Sequence, residues 1–320
     1  MFVQYLIRRA IGGFLVVLLA TFVVFAFIRL AGDPAALIVG GTGENITINP
    51  ERVAQVRQEL GLDKPLIVQF ADFLAGLVTG GLGNSYVTGR PIADELRVRL
   101  PLTIEVAFLS ELTAWIFALP LGLFSALRRG RYTEAMTRVF FFVTSAIPAY
   151  WLGLLVLIFV LLTFGWRPPL GLVLPTQDLW THLQQIALPV IVLGFVLAAG
   201  LVRFIRNAVL EVLQEPFVQV ARAKGLAEST VVLRHVLRNA FAPTLAFSGL
   251  RVGYLLGGVV IVETTFNLPG LGLFFVDAVA RRDFPVIQIA VLILGTAFVV
   301  INLLTDIACS FLDPRLRERG

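Results

Sequence analysis

The chain has 320 residues, of which 58% are hydrophobic and 15% are charged, and its mean hydropathy is +0.87. A soluble domain carries about 25% charged residues and could not hide this much apolar surface, so the composition excludes a cytosolic enzyme, a nucleic-acid-binding module and a disordered chain. The net charge of +5 needs no nucleic acid to explain it, because basic residues also orient membrane proteins.

Six apolar stretches are long enough to cross a bilayer, which takes roughly 20 residues. They are residues 10–28, 102–127, 139–164, 186–202, 240–262 and 284–305. We interpret the first as a retained signal anchor, because it is long for a signal peptide and a poor cleavage site follows it. The sequence therefore predicts an all-α membrane protein with six transmembrane helices.

A long polar interval, residues 29–100, separates the first two stretches. Within it, Asn49 and Pro50 are typical of a helix start, and Gly61 is typical of a helix end. Leu66–Val78 is apolar but too short to span, so it is predicted to be an interfacial or packed segment.

The Lys and Arg residues of the short loops and tail are unevenly distributed. Fifteen lie on the side that contains both termini, and three lie on the opposite side. Since basic residues are retained on the inner side, both termini are predicted to be cytoplasmic and residues 29–100 to be extracytoplasmic.

Several catalytic and metal-binding motifs are absent from the sequence. Its two lysines, Lys64 and Lys224, lie outside any GxxxxGK[ST] motif, and there is no HExxH or GxSxG motif. The single cysteine, Cys309, and two distant histidines, His182 and His235, do not suggest a metal site. We therefore predict that the chain is not an enzyme, has no metal site and cannot hydrolyse ATP alone.

The most informative segment begins at Glu215, between the fourth and fifth apolar stretches. Pro216 can start a short helix, the small residues Ala221 and Ala223 permit close approach of a neighbour, and Gly225 can end the helix. A short helix between two spans is suited to transmit force from a soluble partner. The alternative is an ordinary basic loop.

This segment resembles the EAA loop of ABC-transporter permeases of the dipeptide/oligopeptide/nickel family. The resemblance rests on ARAKGL at residues 221–226 and RHVLRNA at residues 234–240. The Glu and first Ala of the general EAA pattern are replaced by Gln219 and Val220. Other family-like segments are residues 61–66, 81–86, 99–103, 263–272 and 283–285.

The resemblance implies a type I ABC importer permease fold in a bacterial or archaeal inner membrane. The implied partners are a second homologous permease subunit, generally a different chain, two ATP-binding subunits that hold ATP and Mg, and an extracytoplasmic substrate-binding protein. No cofactor is implied in this chain. The implied ATPase-coupling residues are Phe217, Gln219, Ala221, Arg222, Ala223, Lys224, Gly225, Leu226, His235, Arg238 and Asn239.

The resemblance also predicts a division of the chain. Residues 1–30 form the N-terminal segment and first transmembrane helix, and residues 31–100 form the extracytoplasmic region. Residues 101–312 form the core permease domain, with a coupling loop at about 207–240, and residues 313–320 form a cytoplasmic tail.

Polar residues inside the apolar stretches suggest a translocation pathway. We place Glu111 and Arg251 there, because intramembrane charges commonly face a cavity or a partner, and we add Glu263 of the family-like segment that follows the fifth stretch. The alternative is a structural ion pair or snorkelling side chains. Glu105 is interpreted as structural, and His182 beside Trp180 as an interfacial pair at the membrane surface.

Three glycines, Gly249, Gly253 and Gly257, recur every fourth residue in the fifth stretch. This spacing is typical of close helix packing, and a pore hinge is the alternative.

These features predict a permease subunit that forms half of the pathway of an ATP-driven peptide importer. The alternative is a stand-alone secondary transporter or channel that uses acids such as Glu111. The sequence leaves open whether the ligand is a dipeptide, a longer peptide, a nickel complex or a glutathione-like molecule.

Overall fold

The structure is a computed structural model that describes residues 2–31, 34–40, 50–59, 61–79 and 81–312. Within these ranges it is helical, and the only β-type pairing is an isolated bridge between Asn84 and Pro91. This confirms the all-α fold class. The predicted cap Asn49, the tail 313–320 and the side chain of Cys309 lie outside what is described.

The described residues form fourteen α-helices and one π-helical turn. They are α1 (Phe2–Ala31), α2 (Pro34–Gly40), α3 (Pro50–Glu59), α4 (Leu66–Val78), α5 (Ile92–Leu127), α6 (Tyr132–Ala146), α7 (Ala149–Phe164), α8 (Leu179–Val212), α9 (Pro216–Ala223), α10 (Glu228–Thr230), a π-helical turn (Val231–Val236), α11 (Leu237–Leu250), α12 (Val252–Phe266), α13 (Leu271–Arg281) and α14 (Phe284–Leu312).

Four helical segments are long and apolar enough to cross a membrane. They are Ile7–Leu30, Ile92–Leu127, Leu179–Val212 and Phe284–Ala308. Two further pairs of helices meet at sharp bends, α6 with α7 at 102° and the segment ending at Leu250 with α12 at 57°. By length and composition, the described residues therefore contain four continuous candidate spans, or up to six if each bent pair is one span.

The two bends correct the prediction of continuous helices over residues 139–164 and 240–262. The first bend lies at Ile147, whose extended backbone (φ −86°, ψ 123°) precedes Pro148. Proline disfavours helical geometry in the residue before it and removes a backbone donor. The second bend lies at Arg251, whose N–H bonds to the Ser248 carbonyl and so tightens the last turn of α11.

The chain divides into two compact units. The larger unit comprises Met1–Ile7, Thr103–Pro269 and Val300–Gly320, and the smaller comprises Arg8–Leu102 and Gly270–Val299. The division of the chain predicted from the sequence stays a prediction.

The core of the larger unit is built around α8. This helix contacts α6, α7, α11 and α12, and it is buried along most of its length. Leu193, Leu197 and Leu201 have no exposed surface. An apolar helix surrounded by other helices in this way is the expected centre of a membrane bundle.

The core of the smaller unit joins the start of α5 to α13 and α14. It contains Ile92, Leu96, Leu271, Ala278, Val286, Ile289 and Ala290, with Phe73 and Leu77 of α4 packed against it. The rings of Phe70 and Phe73 also contact Phe25 of α1. Apolar contacts of α1 and α4 thereby extend this core.

Candidate functional site

The candidate coupling helix is α9, which has a defined start and stop. Pro216 occupies its first turn, where a missing N–H costs nothing. At its end, Gly225 has a φ of +77°, its N–H bonds to the Arg222 carbonyl, and the Leu226 N–H bonds to the Ala221 carbonyl. These two bonds form a Schellman motif, which places a glycine in the left-handed conformation. The chain therefore reverses sharply just after α9.

The two faces of α9 have different surroundings. Val218 and Ala221 are buried, and α9 contacts the π-helical turn, whose valines are also buried. On another side of α9, Phe217 and Val220 are 42% and 52% exposed, and Leu226, just after the turn at Gly225, is 41% exposed. We call these three residues the apolar patch of α9. The inner face fixes the helix to the chain, and the patch offers a contact surface to another molecule.

Arg222 and Glu228 form an ion pair that the sequence analysis did not identify. Arg222 Nε lies 3.1 Å from Glu228 Oε2, and Arg222 Nη2 lies 2.6 Å from Glu228 Oε1. This bidentate hydrogen bonding raises the pKa of Arg222 above its ordinary value. The pair ties α9 to α10 across the turn at Gly225. No local pattern signals a pair six residues apart across such a turn.

The other predicted coupling residues occupy the same segment of the chain. Gln219, Ala223, Lys224 and Arg238 are exposed, and His235 is half-buried. Asn239 Nδ2 donates a hydrogen bond of 2.6 Å to the His235 carbonyl. His235 and Asn239 therefore stabilise the junction between the π-helical turn and α11.

Glu111 and Arg251, two of the predicted pathway residues, interact electrostatically. Trp115 Nε1 donates to Glu111 Oε1 at 3.1 Å. Arg251 Nη2 donates to the Leu197 carbonyl at 2.9 Å, and its guanidinium lies over the Phe247 ring at 5.4 Å. Arg251 thus joins the bend between α11 and α12 to α8.

Glu263, the third predicted pathway residue, is fully buried. Its Oε1 accepts a hydrogen bond of 2.6 Å from Thr103 Oγ1. This contact joins α12 to α5 within the larger unit. Because a buried carboxylate needs such partners, the bond gives Glu263 a structural role whatever it does in transport.

His182 is buried among other side chains, while its predicted position at the membrane surface stays a prediction. Its Nε2 lies 3.0 Å from both carboxylate oxygens of Glu105, and its Nδ1 lies 2.8 Å from the Val173 carbonyl. Both ring nitrogens of His182 thus have an oxygen partner, one on α5 and one in the loop before α8. Glu105 was interpreted from the sequence as structural, and the structure gives it His182 as a partner.

Gln185 lies one turn after His182 and binds the same loop. Its Nε2 donates to the Gly171 carbonyl, and its Oε1 accepts from the Val173 N–H at 3.4 Å. Two buried polar side chains of α8 therefore hold the connection between α7 and α8.

Glu134 is a buried carboxylate near the start of α6 that the sequence analysis also missed. It accepts hydrogen bonds from the Gly130 N–H at 2.6 Å, from Arg206 Nε at 3.0 Å and Arg206 Nη2, and from Arg138 Nη2 at 3.4 Å. Arg206 comes from α8, which leads directly into α9. The cluster therefore connects the loop before α6 to α8, the helix that precedes α9.

We expect Arg206→Ala to lower thermal stability more than Arg138→Ala. Arg206 is largely covered and makes two bonds to Glu134, whereas the Arg138 side chain is 62% exposed and makes one long bond. Exposed ion pairs contribute little to stability, whereas removal of a covered partner leaves a buried charge unpaired, which is costly. Thermal unfolding of both purified variants measures the difference, and equal losses would contradict this account of the cluster.

Asp283 joins two segments that the sequence analysis singled out separately. Its Oδ2 accepts a hydrogen bond of 2.5 Å from Ser85 Oγ, and its Oδ1 accepts one of 3.1 Å from the Tyr86 N–H. Ser85 and Asp283 are both buried. The family-like segments 81–86 and 283–285 thus form one structural unit, although they are almost 200 residues apart.

Asp283→Asn is expected to destabilise the smaller unit by about 1.5–3 kcal/mol, the usual worth of hydrogen bonds to a charged group. The variant loses the charge that the Ser85 and Tyr86 donors share. Asp277→Asn is the matched control, because Asp277 lies exposed on α13. Chemical unfolding, followed by a fluorescent label in the smaller unit, measures the free energy of unfolding of both variants. Equal values for the two variants would refute the expectation.

The three glycines of the fifth stretch do not share one continuous helix. Gly249 belongs to α11 and Gly253 and Gly257 to α12, with the bend between them. A Cβ at Gly249 would collide with the Thr305 side chain, whereas one at Gly257 would meet nothing within 4 Å. The neighbouring Gly258 would place a Cβ 2.6 Å from Leu193 Cδ1. Close packing is therefore visible at Gly249 and Gly258.

Comparison with known proteins matches nearly the whole chain. Residues 118–318 match the model of the family described as binding-protein-dependent transport system inner membrane component, and residues 1–107 match the N-terminal model for membrane components of the same systems. A solved amino acid ABC transporter with histidines matches 70% of this chain and 95% of its own, at 17% identity and a TM-score of 0.49.

Curated relatives are similar over their full length. The glutathione transport system permease protein GsiC of Pectobacterium atrosepticum is 39% identical over 317 residues, and that of Escherichia coli K12 is 38% identical over 321 residues. Each alignment covers 99% of both chains. The chain therefore belongs to the binding-protein-dependent transport system inner membrane component family, as an ABC importer permease of the dipeptide/oligopeptide type.

Proposed function

We propose that this permease forms half of the translocation pathway of an ATP-driven importer for short peptides of the glutathione type. The observation that carries the proposal is 36–39% identity to glutathione permeases over essentially the full length of both chains. The two matched family models and the candidate spans agree with a multi-pass permease of the cytoplasmic membrane.

Coupling to ATP hydrolysis is assigned to the segment from Pro216 to Asn239. The apolar patch of α9 (Phe217, Val220 and Leu226) supports this assignment, because a short helix with a fixed inner face can transmit movement from a partner at its outer face. Arg222 and Glu228 add stiffness across the turn. In this proposal Gln219 and Lys224 contact the ATPase beside the patch.

Four kinds of partner complete the proposed transporter. They are a second homologous permease of different sequence, two ATP-binding subunits that carry ATP and Mg, a substrate-binding protein outside the membrane, and the lipid bilayer. The distribution of basic residues supports cytoplasmic termini and a cytoplasmic α9. In this arrangement the ATPase subunits act on α9 from the cytoplasmic side, and the binding protein delivers the ligand from the extracytoplasmic side.

Reconstitution into proteoliposomes tests the proposal. The chain is produced together with a partner permease, ATPase subunits and a binding protein of the same organism, and uptake of labelled glutathione, dipeptides and a nickel complex is measured with and without ATP. We expect ATP-dependent uptake of glutathione or a dipeptide that requires every subunit.

Two outcomes would contradict the proposal. Gradient-driven flux through this chain alone would indicate a secondary transporter, and a pathway acid such as Glu111 would then be the first residue to substitute. ATP-dependent uptake of the nickel complex without peptide uptake would retain the permease and overturn the substrate class.

A further inference from the structure

One helix of the smaller unit, α4, is apolar, too short to span a membrane and attached to a span. Its 13 residues contain a single ionisable side chain, Asp72. The rings of Phe70 and Phe22 lie 5.1 Å apart, and those of Phe70 and Phe25 lie 5.3 Å apart. Because Phe22 and Phe25 belong to the apolar span Ile7–Leu30, α4 is held against a transmembrane helix.

These ring contacts set the depth of α4. Phe25 precedes Leu30, the end of the span, by five residues, which corresponds to about 7.5 Å along a helix axis. A span of 24 residues exceeds a hydrocarbon core of about 30 Å by only a few Å at each end. The contact with Phe25 therefore lies below the edge of the hydrocarbon core, and the one with Phe22 lies deeper.

Successive residues of a helix turn by about 100°, so α4 has three distinct sides. Phe70, Phe73 and Leu77 form the side packed on the protein. Ile67, Ala71 and Val78 form a second side that is left uncovered, with Ile67 75% and Val78 89% exposed. We call these three residues the apolar stripe of α4.

The third side of α4 is polar. Asp72 is exposed and forms an ion pair of 2.8 Å with Lys64, and Gln69 Nε2 donates to the carbonyls of Leu62 and Lys64. Asp72 and Gln69 lie about 100–180° around the helix from the apolar stripe. A helix with protein on one flank, an apolar side and an opposed polar side fits the boundary between acyl chains and water.

We propose that α4 is a membrane-interface helix whose apolar stripe (Ile67, Ala71 and Val78) contacts the acyl chains of the leaflet around the C-terminal end of α1. Asp72 and its partner Lys64 lie on the water side of the same helix. Under the topology proposed above this is the outer leaflet. The lipid contact does not depend on the transported ligand, so a test of this placement of α4 is independent of a test of the proposed function.

Site-directed spin labelling of the assembled transporter in lipid nanodiscs tests this placement. Cys309 is replaced by serine, the partner subunits are freed of reactive cysteines, and labels are placed by Ile67→Cys, Ala71→Cys and Val78→Cys. Asp72→Cys is the matched site on the same helix. Leu19→Cys, exposed on the span of α1, and Thr88→Cys, exposed on a loop, supply the lipid and water references.

Collision with oxygen reports lipid, and collision with a water-soluble nickel chelate reports water. We expect the labels at 67, 71 and 78 to match Leu19→Cys, with high oxygen and low chelate accessibility, and the label at 72 to match Thr88→Cys. Chelate accessibility at 67, 71 and 78 equal to that at Thr88→Cys would place the stripe in water and overturn the proposal. Shielding of these sites from both reagents would show that a protein subunit covers the stripe and would overturn it equally.

Discussion

Gly225→Val is expected to leave a folded, membrane-inserted permease whose ATP-dependent uptake falls roughly tenfold or more. The reason is the backbone, since Gly225 has a φ of +77° and a Cβ there would meet nothing within 4 Å. A non-glycine residue in the left-handed region costs about 1–2 kcal/mol, and a branched side chain costs more. The strain would open the Schellman turn that positions α9. Because about 1.4 kcal/mol corresponds to a tenfold change in an equilibrium constant, the fraction of molecules with the turn closed would fall about tenfold.

The measurement compares uptake with ATP hydrolysis stimulated by the binding protein in proteoliposomes. Gly165→Val is the matched control, because Gly165 also ends a helix in the left-handed conformation with open space around it. We expect the control to show the same modest loss of stability and to keep uptake tied to hydrolysis. Normal coupling in Gly225→Val would disprove the role proposed for α9.

Gly194→Ala and Gly257→Ala are expected to change stability in opposite directions. A Cβ at Gly194 of α8 would lie 2.6 Å from Thr113 Cβ and Cγ2 of α5 and 2.9 Å from the Ser110 carbonyl oxygen. The carbonyl oxygen is backbone and cannot move aside, so α5 and α8 must separate. Overpacking of this kind costs about 1–3 kcal/mol.

At Gly257 of α12 a Cβ would meet nothing within 4 Å. Alanine there removes the entropic disadvantage of a helical glycine, which is roughly 0.5–1 kcal/mol. Thermal unfolding of the isolated chain in detergent compares the two variants with the parent. A stabilised Gly194→Ala would show that α5 and α8 approach less closely than the structure indicates.

The sequence located the membrane segments because their signal is local. A span needs about 20 apolar residues wherever its neighbours lie, and this is why the residues around 10–28, 186–202 and 284–305 could be identified. The stop at Gly225 was also readable, since a glycine after a short helix favours the left-handed turn observed there. Pro148 carried a local signal for the bend between α6 and α7 that the continuous apolar run obscured.

The pairings of the buried polar groups could not be read in the same way. Glu134 with Arg206, and Asp283 with Ser85, join residues 72 and 198 positions apart. A carboxylate in an apolar helix signals that it needs a partner, but the choice of partner depends on which helices pack together. His182 shows the same effect, because its burial against Glu105 follows from the contact between α5 and α8.

The sequence by itself thus determined that this chain is an all-α membrane protein, where most of its apolar segments lie and where α9 stops. Apolar length, charge distribution and glycine conformation act over a few residues, so they can be evaluated without knowing the fold. Only the tertiary structure decided that Arg251 marks a bend, that Gly194 rather than Gly257 is tightly packed, and that α4 has a free apolar side. These properties depend on which surfaces meet, and that is set by the packing of helices distant in sequence.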